Sequence, residues 1–168
     1  MKILATFDGT PFSESTFALL DQIAALPNAE FTLLRIGHEP QGRRRRGRRL
    51  PVVAGSGLGQ ASQILIPPDE PTFVETKEQA VERKLAEIEG YLLGLAKRLP
   101  KDIDVHVEAH VSDDVARTII ARAREIGPDV IVMATHSRRG LGALFGSTTE
   151  QVVRSSVAPV LLVHPNEK

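Results

Sequence analysis

Between Asp129 and Thr135 the chain reads DVIVMAT, with no polar side chain at its centre. A strand of that composition has no face to offer water, so it must be covered on both sides. Helices packed on both faces of a parallel sheet meet that demand. The start of the chain repeats the theme. KILATFD (Lys2–Asp8) is a short apolar run that reads as a buried strand. GTPFSES follows, with Thr10, Pro11 and Ser13 as start signals for a helix carrying Phe17, Leu20, Ile23 and Ala24 at helical spacing. EFTLLRIG (Glu30–Gly37) is the next strand. These segments form one β–α–β unit, a connection that makes strands parallel.

The rhythm resumes at Thr76. Thr76 and Gln79 have the spacing of a capping box. Val81, Leu85, Ile88, Leu92, Leu95 and Leu99 mark the apolar face of a long helix, which Pro100 stops. In DIDVHVEAH, Ile103, Val105, Val107 and Ala109 alternate with polar residues, the pattern of a strand at a sheet edge. Ser112 is placed to cap the following helix, whose inward face carries Val115, Ile119 and Ala123. The last helix is expected to start near Ser147, and PVLLV (Pro159–Val163) is a fifth strand. Five strands alternating with four helices predict a three-layer, doubly wound α/β domain with a five-stranded parallel sheet in the order 3-2-1-4-5. Ligands of such sheets bind at the switch point between strands 1 and 4, where TFDGT and MATHS end.

At 168 residues the chain has the length of a single domain, and 42% apolar residues suffice for a core. Twenty-one basic and 21 acidic residues give a formal charge of +0, so no global field recruits nucleic acid, and none is expected as a partner. Without cysteine there is no disulfide, thiol catalysis or zinc–thiolate site. No apolar run reaches membrane-spanning length and no charged segment leads into an apolar one, so a cytoplasmic protein without membrane association is expected. Residues 38–75 break the pattern with a Gly-, Pro- and Arg-rich insert that is too long for an ordinary connection. Its RRRRGRR run (Arg43–Arg49) reads as a solvated, mobile basic loop, with an anion or nucleic-acid contact, or a partner-binding arm, as the sharper alternatives. No aromatic residue is interleaved for base stacking. GSGLG (Gly55–Gly59) has no strand leading into it, so it is not a dinucleotide loop.

The stretch ATHSRRGLGALFGSTTE joins the fourth strand to the last helix. With KILATFDGTPFSESTFALL and the terminal QVVRSSVAPVLLV, it resembles the universal stress protein family over about residues 1–37 and 76–165. That resemblance implies an adenine-nucleotide alpha-hydrolase-like fold, a role in stress response or signalling, and ATP with Mg2+ as a ligand. ATP-binding members carry Gly, two residues, Gly, nine residues, then Gly-Ser or Gly-Thr. Here Ala134 and Ser137 stand at the two leading glycines, only eight residues separate Ser137 from Gly146, and Gly146-Ser147 closes the pattern before Thr148. The resemblance also implies an adenosine contact at Asp8 and adenine-pocket walls at Thr6 and Ile36. Family members are often homodimers. Separately, VAPVLLV is an uncharged strand apolar on both faces, a hazard at a sheet edge, and pairing Val160–Val163 with a second copy would remove it.

Physical chemistry reads the same residues on its own terms. Ala134 and Ser137 give up glycine's freedom at positive φ. Arg138 and Arg139 place two guanidinium forks beside the loop, and Gly146-Ser147-Thr148 offers free amides at a helix N-terminus. Each residue also has a plain reading. Ser147 and Glu150 spell a capping box, Asp8 suits a helix start, Arg138 and Arg139 suit solvated loop charges, and His136 has no acidic partner at a metal-ligand or triad spacing. No catalytic motif is legible and no catalytic residue or metal ligand is assigned, which leaves slow ATP hydrolysis open. Two functional classes follow: a nucleotide-responsive module with ATP at the switch point, or an interaction protein working through its dimer surface or basic loop.

Overall fold

The computed structural model describes residues 1–45, 72–135 and 147–164. Its main sheet has five parallel strands: β1 (Lys2–Phe7), β2 (Glu30–Gly37), β5 (Asp104–Val111), β6 (Val130–Ala134) and β7 (Val160–Val163). They lie in the order β5-β2-β1-β6-β7, the expected 3-2-1-4-5. The helices are α1 (Pro11–Glu14), α2 (Phe17–Ala24), α3 (Lys77–Ala96), α4 (Val115–Ile126) and α5 (Ser147–Ser155).

Strand periodicity divides the core into two. Ile3, Ala5 and Phe7 of β1, Phe31 and Leu33 of β2, and Val130 and Val132 of β6 pack against Phe17 and Leu20 of α2 and Ile88, Leu92 and Leu95 of α3. The alternate residues, Leu4, Leu34, Ile131 and Met133, pack against Ala116, Ile119 and Ala123 of α4 and Val152 of α5. Leu4, Leu34 and Ile131 are fully buried, so DVIVMAT is covered on both faces as its composition demands. β5 is an edge, and its Val105, Val107 and Ala109 lie against the α2–α3 side.

Three local expectations are corrected. The first helix is two segments, α1 and α2, with Ser15 and Thr16 between them. The hydroxyls of Ser13, Ser15 and Thr16 donate to the carbonyls of Thr10, Phe12 and Ser13 at 2.6–2.9 Å, competing with the regular ladder. The cap of α4 is Asp114, which accepts from the Arg117 amide at 3.0 Å, while the Ser112 hydroxyl accepts from the Asp114 amide at 3.1 Å. The insert is not irregular at its ends. β3 (Arg43–Arg45) pairs antiparallel with β4 (Thr72–Glu75). Arg-Arg-Arg carries no apolar alternation from which a strand is readable. Gly42 lets the two ends close, because a Cβ there would stand 2.9 Å from the Glu75 carbonyl oxygen. Arg46–Arg49 and Gly55–Gly59 lie outside the described residues. The Thr76–Gln79 capping box is present.

The edge strand β5 is tied to α4 by a bidentate ion pair. Arg122 donates to both carboxylate oxygens of Glu108, at 2.7 and 2.8 Å. Those bonds hold the Glu108 carboxyl below its ordinary pKa. A carboxylate depressed in the folded state stabilises the fold above its unfolded pKa, and the effect is lost as pH falls through the folded value. Glu108→Gln is therefore expected to cost about 1–2 kcal/mol at pH 7. In urea unfolding, the difference from the parent protein should shrink as pH drops through the acidic range. A cost that stays constant with pH would place it in packing and not in the ion pair.

Candidate functional site

The carboxyl ends of β1, β2 and β6 border a cavity of about 560 Å3 at the switch point. Thr6 and Asp8 reach it from the end of β1, Ile36 from β2, Ala134 from β6, and Ser147 and Thr148 from the first turn of α5. Residues distant in sequence thus border one cavity. The remaining site residues of the sequence pattern, Ser137, Arg138 and Gly146, lie outside the described residues, as do His136 and Arg139.

The cavity has two chemically different sides. Leu34, Ile36 and Met133 meet Val115 and Ile119 of α4 to make an apolar side. Arg35 of β2, His38 just after that strand and Lys84 of α3 border it with basic side chains. Sequence reasoning did not single out Arg35, Lys84, Val115 or Ile119 as site residues. Arg35 had a signal: it is the one charged residue inside EFTLLRIG after Glu30, and it sits at the ligand-binding end of the strand. Lys84 had none, because a lysine on a long helix looks like any solvated residue.

The turn after β1 is set by hydrogen bonds. Asp8 Oδ1 accepts from the Thr10 amide at 2.8 Å and from the Thr10 hydroxyl at 2.6 Å. Thr10 in turn caps α1 by accepting from the Ser13 amide at 3.3 Å. Asp8 is thus a helix-start residue that also borders the cavity. Gly9 completes the turn at φ +87°, and a Cβ there would fall 2.2 Å from a guanidinium nitrogen of Arg35. The Arg35 guanidinium also stands over the Tyr91 ring, 4.6 Å from its centroid. Burial, and then the hydrogen bond to Glu14, push the Tyr91 hydroxyl up to about 12, so it stays neutral and donates to Glu14 at 3.1 Å. Arg98 holds the other Glu14 oxygen at 2.8 Å.

At the opposite wall, α5 takes Ser147 as its first helical residue. No hydrogen bond joins Ser147 to Glu150 among the described residues. Glu150 instead pairs with Arg154 at 2.8 Å, so the capping box read from S-x-x-E is not formed. One cluster with metal-ligand chemistry occurs among the described residues, far from the cavity. Glu30, Asp104 and His106 come together at the amino ends of β2 and β5, where register pairs Glu30 with Asp104. Their side chains are largely solvated, and His106 Nε2 lies 3.5 Å from Asp104 and 3.9 Å from Glu30. Nothing in that arrangement reaches the site at the other end of the sheet.

A sequence model described as the universal stress protein family matches residues 1–164. No curated protein sequence matches the chain. Among solved structures, the chain is similar to the universal stress protein UspA from Lactobacillus plantarum, at 14% identity and TM-score 0.59, covering 97% of each chain. It is also similar to a universal stress protein in complex with cAMP, at 16% identity and TM-score 0.59, covering 98% of this chain and 96% of that one. A putative universal stress protein from Pseudomonas aeruginosa matches at 20% identity and TM-score 0.55, with 98% of this chain covering 48% of that one. At these identities the likeness concerns the fold. No helix among the described residues is long and apolar enough to cross a membrane.

The Gly9 turn gives a direct test of this local geometry. Gly9→Ala forces a side chain onto a left-handed backbone and against Arg35, and is expected to cost at least about 1 kcal/mol. Urea unfolding measures it. A neutral or stabilising substitution would mean that the turn does not have this conformation in solution.

Proposed function

The chain belongs to the universal stress protein family, and from that premise we propose that it is a stress-response or signalling module that binds an adenine nucleotide, ATP with Mg2+, in the switch-point cavity. One observation carries the reading. Thr6, Asp8, Ile36, Ala134, Ser147 and Thr148, matched to the family pattern from sequence, all border the same cavity. A cAMP-bound neighbour of the same fold supports the choice of an adenine nucleotide. In this reading the apolar side takes the base, with Ile36 and Thr6 beside it. The phosphates lie on the α5 N-terminus, where Ser147 and Thr148 combine unpaired amides with the positive end of the helix dipole. Ser137, Arg138 and Gly146 complete the cradle. Ala134 replaces a family glycine at the cost of one methyl group.

Binding, and not turnover, is the activity this arrangement favours. Hydrolysis needs a base that positions water, and the Asp8 carboxylate already accepts two hydrogen bonds from Thr10. Titration calorimetry with ATP and Mg2+ is expected to show saturable binding, and Gly146→Val should abolish it without unfolding the protein. Absence of both heat and thermal shift at millimolar nucleotide would sink the proposal and favour an interaction protein of the same fold.

The same reading includes a homodimer built on β7. Among the described residues this strand pairs only with β6, and it carries no charge. Val160 and Leu162 pack on one core and Val163 on the other. Leu161 remains 41% exposed, and Val153 and Val157 are 43% and 59% exposed. Pairing two β7 edges would bury such surface. Leu161→Lys is the informative variant, because Val160 and Leu162 also serve the core. Light scattering at tens of micromolar is expected to give a dimer for the parent and a monomer for the variant. A monomeric parent would remove the dimer from the proposal.

A further inference from the structure

Arg35 differs from the other cationic groups at the cavity. The Lys84 ammonium is paired with Glu87 at 2.9 Å, and His38 Nδ1 lies 3.9 Å from Asp113. Arg35 has neither a hydrogen-bond acceptor nor a carboxylate at ion-pair distance among the described residues. It is nevertheless half-buried, and it borders the cavity. A guanidinium carries five N–H donors that proteins ordinarily satisfy, and those of Arg35 have no protein acceptor among the described residues. The stack on Tyr91 uses only its π face. A ring stacked in that way fixes the plane of the fork and leaves its edge available.

The position is also held from two sides. Register places Arg35 opposite Phe7, at the carboxyl end of β1 and one residue before Asp8. The absence of a Cβ at Gly9 admits the guanidinium to the turn that Asp8 and Thr10 build. Tyr91, anchored through Glu14, supplies the floor. A planar cation with free donors, fixed at the rim of a cavity, fits an anion of tetrahedral or planar oxygens better than any neutral group.

We infer that Arg35 is a specificity-determining residue of the cavity, which binds a phosphate of the nucleotide and so selects phosphorylated ligands over the neutral nucleoside. This rests on the nucleotide reading above and adds to it a residue outside the sequence pattern. It also separates two tasks: the apolar side accepts the base whatever its charge, and Arg35 reads the charge. A purely structural Arg35, bridging β2 and α3 through Tyr91, would have no such selectivity.

Titration calorimetry of the full chain with ATP–Mg2+, AMP and adenosine, at low and moderate salt, distinguishes the two. Arg35→Gln is expected to weaken at least one phosphorylated ligand by about tenfold or more and to flatten its salt dependence, with adenosine affinity unchanged. Arg35→Lys, which keeps the charge but loses the fork, should weaken the same ligand less, again sparing adenosine. It serves as the test if the glutamine variant does not fold. Equal weakening of ATP, AMP and adenosine in either variant would overturn the inference, as would unchanged binding of all three by Arg35→Gln. In both cases nucleotide binding itself would stand. A parent protein that binds none of the three ligands would overturn the nucleotide reading, and this inference with it.

Discussion

The structure depends on burying both faces of its central strands. Ile3, Leu4 and Ala5 of β1 are each no more than 1% exposed, although successive side chains point to opposite sides of the sheet. One layer of helices cannot achieve that. It takes α2 and α3 on one side and α4 and α5 on the other, so the chain must cross from one face to the other partway along. The crossing separates the connections that leave β1 and β6, and the gap between them is the cavity. The site is thus a geometric result of how the core is covered.

The same two-sidedness gives the cavity its unequal walls. In β2, Leu34 and Ile36 turn to the α4 side, whereas Arg35 turns to the α3 side and meets Tyr91. A single residue step along one strand therefore separates an apolar surface from a guanidinium. At the cavity end of the sheet the side chains no longer have to be apolar, because helix coverage gives out there. Arg35 stands there opposite Phe7, with Thr6 one residue earlier on β1 and Ala134 at the end of β6, after Ile3–Ala5, Phe31–Leu34 and Val130–Met133 have supplied most of the core.

Much of this was legible in the sequence, for reasons that are local. DVIVMAT and KILATFD announce double-faced burial, DIDVHVEAH announces an edge, and Thr76 with Gln79 announces a helix start. What was not legible involves competition or distance. The split between α1 and α2 comes from serine and threonine hydroxyls that bond back to carbonyls three residues earlier, and hydroxyls in a first turn spell equally well a cap. Ser112 and Asp114 are both capping residues by type, and only the backbone angles decide which one does it. β3 draws on an arginine run without strand character and is defined by its partner, Thr72–Glu75.

By itself the sequence determined the strands of the main sheet with their order, the main helices and the family, because periodicity and motif spacing are properties of neighbours along the chain. It also placed Thr6, Asp8, Ile36, Ala134, Ser147 and Thr148 in one pattern. Tertiary structure alone decided what faces them. Val115, Ile119 and Lys84 come to the cavity from helices whose sequences carry no sign of it, and Arg35 meets Gly9 and Tyr91 through strand register and helix packing. Contacts of that kind depend on the relative placement of packed elements, which follows from how the two cores fill and not from any local preference of the residues that touch.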